Sequence, residues 1–373
     1  MDKYMLKNAS KRILAVDLIR GYFLFVIIID HLYRFFGFYE LFTGGGTQWV
    51  SAAEGFFFIS GIMIGLVRGR KLIAEPLSVA AKKVWSRAFQ LYCWSVALTT
   101  SFTLLGLAFT GNPGLKLGGF RNESFGHFLS TTLTLRYNYG WADFLVYYIL
   151  YLLFTPLALW LLRRGKWYIL LGISFVIWLF SSNTQLGWQL LFFSGTIVGF
   201  YLYDIEGWFT RLSKTAKRIL ATAIITLGLS TLAISEFFNS IIYHMNNANP
   251  AQTFFGVTTA DLFDLNKYYL SHIFDKYSLG AGRLIFFYIW FAMLYLVTRY
   301  YEKAINKVAG WFLIPLGQNS LYVYIVHAIL LFILNLTLPP VIPIWANIVV
   351  NTLFLAAIWS LVRYRVLFKY IPR

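Results

Sequence analysis

A chain of 373 residues that is 59 % hydrophobic, 20 % aromatic and only 13 % charged, with a mean hydropathy of +0.64, falls among polytopic membrane proteins; a soluble fold of this length could not hide so many long apolar runs. The net charge of +17 suggests nucleic acid, but the basic residues sit in short connections between apolar segments, where they set membrane topology, so no nucleic-acid partner is expected. Cys93 is the only cysteine, which excludes an intramolecular disulfide.

The first apolar run, 13–36, reads ILAVDLIRGYFLFVIIIDHLYRFF and carries Asp17, Arg20, Asp30 and His31. An ionisable group inside a membrane helix costs roughly 2.5–3.5 kcal/mol on insertion scales, so four of them need a reason. The steps from Arg20 to His31 bring the two to nearly one azimuth, about 16 Å apart along the axis. Asp17 lies within about 60° of both, and Asp30 turns roughly a quarter-turn away. Asp17 is expected to be the structural partner that makes Arg20 tolerable. Basic residues precede this run, but Asp17 and Arg20 interrupt it and no A-x-A site follows, so it reads as an uncleaved first span.

Ten spans are expected, at roughly 13–36, 49–67, 88–110, 142–162, 167–182, 187–203, 219–239, 283–301, 311–336 and 341–362. With the N-terminus inside, the cytoplasmic segments hold 24 of the 32 Lys and Arg, among them Lys3, Lys7, Lys11, Arg12, Lys82, Lys83, Arg87 and Arg373. That asymmetry predicts a single all-α transmembrane domain over 1–373, a helix bundle with both termini cytoplasmic. Two long outer segments, 111–140 and 240–282, are expected to include a cap over an outward-facing site.

With this topology Arg20 faces the cytoplasm, and Asp30 and His31 face outward. Glu54 comes early in the second span, in SAAEGFFFISGIMIG, at a depth similar to His31, and the connection at 37–48 is short enough to bring the two together. A carboxylate on an imidazole fixes its tautomer and raises its basicity, which suits a general base acting on a hydroxyl. Either Asp30 or Glu54 could play that part; alternatively, Glu54 is satisfied by neighbouring hydroxyls and serves packing. Gly55, Ser60, Gly61 and Gly65 fit close helix packing. Lys83 and Arg87, one helical turn apart, either serve topology and lipid headgroups or, with Arg20, hold the phosphates of a donor. Asp143 opens the fourth span, Gln189 the sixth, and the ninth carries Gln318, Asn319, Ser320 and a deeper His327, either a hydrogen-bonding strut or a participant; Asp143, Gln189 and His327 are expected among the residues that bind substrate or donor. No Walker loop, HExxH, GxSxG or metal-spaced Cys/His set occurs, so neither a metal nor a permanently bound cofactor is expected.

Arg20 and His31 fit the Arg-x10-His pattern of the acyltransferase family 3 superfamily, and Phe57-Phe58-Ile59-Ser60-Gly61 matches its FF-x-SG segment. More closely, VDLIRGYFLFVIIIDH, SAAEGFFFISG, ADFLVYYILYLLFTPLALWLLRR, GWQLLFFSGTIVGF and SLYVYIVH resemble the OpgC type, the osmoregulated periplasmic glucan succinyltransferases. The resemblance implies about ten helices in a bacterial inner membrane, a cytoplasmic acyl-CoA donor (succinyl-CoA or acetyl-CoA) and a glycan acceptor outside. Carried over by motif, His31 is the catalytic histidine and Arg20 a donor-binding or structural cation. Glu54 and Asp143 are site carboxylates, and Lys83 and Arg87 the basic pair, although KKVWSR departs from the usual double-Arg spacing. His31 would then deprotonate a sugar hydroxyl that attacks the thioester, or be acylated itself. The other class in view is a glycan or lipid-intermediate transporter, which predicts broken helices and repeat symmetry.

Overall fold

The computed structural model describes residues 13–32, 34, 37–109, 111–112, 114–115, 124–254 and 256–372. Lys3, Lys7, Lys11, Arg12 and Arg373, and the last residues of the first predicted span (33, 35 and 36), lie outside the described residues.

Long helices carry most of the described chain. They are α1 (Leu14–Leu32), α2 (Ala52–Lys71), α3 (Leu77–Ala108), α4 (Asp143–Arg163), α5 (Trp167–Leu179), α6 (Thr184–Arg211), α7 (Lys214–Ala248), α8 (Ala281–Tyr300), α9 (Glu302–Gln318), α10 (Ser320–Thr337) and α11 (Ile344–Arg363). Eight of them, all but α1, α5 and α9, are long and apolar enough to cross a membrane, and the protein is a multi-pass membrane protein. Helix α1 has the length, 19 residues, but carries Asp17, Arg20 and Asp30. It lies centrally, with apolar residues buried all round it, whereas α7, α8 and α11 leave broad apolar faces uncovered, as helices facing lipid do. The only strands among the described residues, Thr253–Phe254 and Val257–Thr258, pair antiparallel in the 240–282 segment.

The predicted ninth span, 311–336, is two helices. Asn319 breaks it: its amide bonds Leu316 at 3.2 Å rather than the residue four back, and its φ of −118° and ψ of 36° leave the helical region. The Asn319 side chain then donates to the Pro315 carbonyl at 2.8 Å, so the carbonyl released by the break keeps a partner.

Glycines set the closest helix contacts. On α2, a Cβ at Gly61 or Gly65 would overlap the Phe192 or Thr196 carbonyl of α6, and Gly195 and Gly199 return the relation against Phe58 and Ile62. Gly55 receives the flat of the Phe23 ring. Between α1 and α9 a Cβ at Gly21 would overlap the Leu313 carbonyl, and one at Gly317 would overlap the Asp17 carbonyl. Gly317→Val must therefore separate α9 from α1 beside Asp17. The expected cost is roughly 1–3 kcal/mol, as for other overpacked cores, read as a lower melting temperature of the detergent-solubilised protein.

Candidate active site

The last turn of α1 presents Asp30 and His31 to a cluster drawn from five other parts of the chain. The His31 ring is exposed and lies nearly parallel to the His327 ring of α10, with centroids 5.1 Å apart and planes 18° apart. His327 is 1 % exposed, and neither of its ring nitrogens has a hydrogen-bond partner. Phe354 of α11 meets its ring edge-on at 6.0 Å. A buried polar ring without partners is unusual; here it backs an exposed second imidazole. Asp30 accepts from the Thr43 hydroxyl, and Thr43 in turn accepts from the Gly45 amide at 3.2 Å. Gly44, Gly45 and Gly46 all have positive φ, a conformation that glycine adopts without a Cβ penalty, and this tight turn brings Thr43 to Asp30. The other oxygen of Asp30, Oδ1, is buried without a partner.

Asp143 joins the cluster from the first turn of α4, where its carboxylate accepts from the Phe144 amide at 2.6 Å. It lies close enough to Tyr324 of α10 for their charges to interact. The Tyr324 hydroxyl itself donates to the Trp141 carbonyl at 3.0 Å. Lys276, from the 240–282 segment, is within electrostatic reach of Asp30, His31 and Asp143 alike. Sequence reasoning missed it, although it is one of only seven basic residues on the expected outer side.

Glu54 does not partner His31. Its Oε1 forms a buried ion pair with Arg283 of α8, and its Oε2 accepts from the Ser51 amide at 3.0 Å, closing the N-terminal capping box of α2. Arg283 also donates to the Phe274 carbonyl at 3.4 Å. The signal that could have found it was present: Arg283 starts the predicted eighth span, and the rule that flagged Arg20 applies equally there. Gln189, expected to meet the donor, is buried and ties α6 to α5 by donating to the Ser174 carbonyl at 2.7 Å.

Of the other expected site residues, Asp17 and Arg20 lie toward the opposite end of α1, and Lys83 and Arg87 lie on α3. Asp17 is buried and accepts from the Gln318 amide at 3.4 Å, one turn before the half-buried Arg20. Lys83 of α3 is ion-paired with Glu75 of the α2–α3 connection, Arg68 of α2 lies 3.6 Å from the same carboxylate, and Arg163 donates to the Arg68 and Leu72 carbonyls at 3.1 and 3.2 Å. Arg87 is half-buried on α3 and makes no ion pair among the described residues.

The hydrogen bond from Lys83 does most to hold the Glu75 carboxyl below its ordinary value, against partial burial, with the charges of Lys83, Arg68 and Arg163 adding to it. A carboxylate depressed in the folded state stabilises above its unfolded pKa, and the contribution is lost as pH falls through the lower, folded value. The anchor is therefore fully formed at neutral pH. Glu75→Gln, which mimics the protonated group, is expected to speed tryptic cleavage after Arg70 or Lys71 at neutral pH.

Thus an exposed imidazole, two carboxylates and a cation meet at one end of α1, and the anchored basic connection lies elsewhere, with Arg20 about 16 Å back along the same helix. The OpgC protein family model matches residues 12–370. The chain belongs to the OpgC family. Neither a curated protein nor a solved structure matches it. Membership in the OpgC family implies a membrane acyltransferase that acts on glycans, and an exposed imidazole among carboxylates is the equipment such a transfer needs.

Proposed function

We propose that the protein transfers an acyl group, succinyl or acetyl, from cytoplasmic acyl-CoA to a glycan hydroxyl outside the inner membrane, with His31 as the base. The observation that carries this is the His31 ring, exposed at the end of a buried helix and held against His327. An exposed neutral imidazole can take a hydroxyl proton. Asp30 and Asp143 flank the acceptor hydroxyl, and the His327 stack fixes the plane of the His31 ring. The asymmetry of basic residues supports placing both termini and the basic connection inside.

The phosphates of CoA are then met by Arg87 and by Lys83 when it exchanges Glu75 for the donor. Arg20 stands between those phosphates and His31, and the distance of about 16 Å along α1 is of the order of an extended pantetheine arm. Glu54 and Arg283 act at a distance from the chemistry, as a strut. The deciding experiment measures CoA release from acyl-CoA by the purified protein, with and without a glycan acceptor, for wild type and His31→Gln. Unchanged acyl transfer by His31→Gln would sink this reading; glycan movement across vesicles with no CoA release would favour a transporter.

A further inference from the structure

The stretch from Phe274 to Leu279 contains no long helix, yet it is among the most heavily anchored parts of the outer segment. The Phe274 ring stacks face to face on Trp49, with centroids 3.9 Å apart and planes 7° apart, and its carbonyl accepts from Arg283. Trp188 of α6 donates to the Lys276 carbonyl at 2.8 Å, and Trp178 of α5 donates to the Leu279 carbonyl at 2.8 Å. Asp275 accepts from the Ser278 amide and hydroxyl at 2.6 and 2.7 Å. A Cβ at Gly187 would lie 2.8 Å from the Ser278 carbonyl oxygen, so α6 begins hard against this turn. Three tryptophans and an arginine from four elements thus fix the backbone at Lys276, while its side chain stays exposed.

Among the described residues the Lys276 ammonium makes neither a hydrogen bond nor an ion pair, although its charge reaches Asp30, His31 and Asp143. It therefore stands off from both carboxylates, within electrostatic reach of His31. On the α1 side the Asp30 Oδ1 is left without a partner. The other basic groups nearby are engaged elsewhere, Arg283 with Glu54 and Arg34 with Asn335 and the Pro339 carbonyl. Attack of a hydroxyl on a thioester puts negative charge on the carbonyl oxygen, and two carboxylates beside it would oppose that charge. A cation held ready on a fixed backbone offsets them without reorganising during the reaction.

We propose that Lys276 is a catalytic residue whose ammonium receives the thioester carbonyl oxygen as it becomes an oxyanion. This role rests on the acyl-transfer reading above. His31 takes the proton of the acceptor hydroxyl, the hydroxyl oxygen bonds to the thioester carbon, and the carbonyl π pair moves onto oxygen, where the Lys276 ammonium donates a hydrogen bond without losing its proton. The carbonyl re-forms, the carbon–sulfur bond breaks, and the leaving thiolate takes the proton from the His31 imidazolium. The products are an ester and CoA thiol, with both side chains restored.

The test uses purified protein in phosphatidylglycerol-containing vesicles, with acetyl-CoA and succinyl-CoA as donors and a linear glucose oligosaccharide as acceptor. Lys276→Met is expected to lower kcat by about 10²–10³-fold with both donors, the loss associated with one oxyanion donor, with the donor KM unchanged. Lys276→Arg is expected to recover part of it, and both variants should melt at the wild-type temperature because the side chain is exposed. Wild-type kcat in Lys276→Met, with His31→Gln inactive, overturns the Lys276 assignment alone. A loss confined to succinyl-CoA also overturns it, by assigning the ammonium to the acyl carboxylate. A wild type that releases no CoA with either donor overturns the acyl-transfer reading and the Lys276 role with it.

Discussion

His31→Gln is expected to cut acyl transfer by about 10²–10⁴-fold, the range that a positioned general base contributes, while the melting temperature and the donor KM stay near wild type. Glutamine keeps the polarity and most of the volume of imidazole but cannot accept a proton at neutral pH. The residue lies exposed at the end of α1, so the substitution gives up the ring's stack on His327 and little other packing. The companion variant is His327→Phe. It keeps an aromatic partner for the His31 ring, whose centroid lies 5.1 Å away, and puts an apolar ring where both nitrogens were buried without partners. If His327 only holds the plane of His31, activity survives in His327→Phe and is lost in His327→Ala. A fall as deep in His327→Phe as in His31→Gln would give His327 a share of the proton transfer.

The parts of this site that could be read in the sequence are those written on a single helix. Arg20 and His31 share one face of one continuous helix, so their relation follows from helical geometry alone. The four charges in an apolar run mark themselves by their insertion cost. The small residues of α2 stand at the spacing of close helix packing, and Gly61 and Gly65 do meet the α6 backbone. What the sequence could not supply is which element stands beside which. Glu54 and His31 are joined by a short connection, but Glu54 instead faces Arg283, 229 positions along the chain. His31 meets His327 because α10 comes alongside α1, which no local pattern encodes. Lys276 sits in a loop that hydropathy describes only as polar, and its place follows from indole and guanidinium contacts made by residues far from it in sequence. The break at Asn319 is hidden for a different reason: the apolar run continues across it, and the turn shows in the backbone, in the bond from Asn319 to Leu316 and in the Asn319 dihedrals.

Breaking the Glu54–Arg283 pair is expected to be the most destabilising single change. Both side chains are buried, Glu54 at 0 % and Arg283 at 5 % exposure, so removing either charge strands the other where little water can reach it. Glu54→Gln or Arg283→Gln should each cost about 3–5 kcal/mol; glutamine at position 54 can still close the Ser51 capping box of α2, so the loss in Glu54→Gln reports the stranded Arg283 charge. The double variant Glu54→Leu/Arg283→Leu leaves no buried charge and should recover most of that loss, since apolar replacements of buried ion pairs are often neutral. Its activity should not recover to the same extent. Arg283 also holds the Phe274 carbonyl, and without that bond the turn carrying Lys276 loses one of its anchors. Unfolding of the solubilised protein by heat, measured beside CoA release, separates the two effects: a pair that only stabilises gives a double variant both stable and active. A strut that sets the position of Lys276 gives one that is stable but slow, with kcat reduced at unchanged donor KM. Single variants as stable as wild type would show instead that each charge finds another partner, and the strut role would fall.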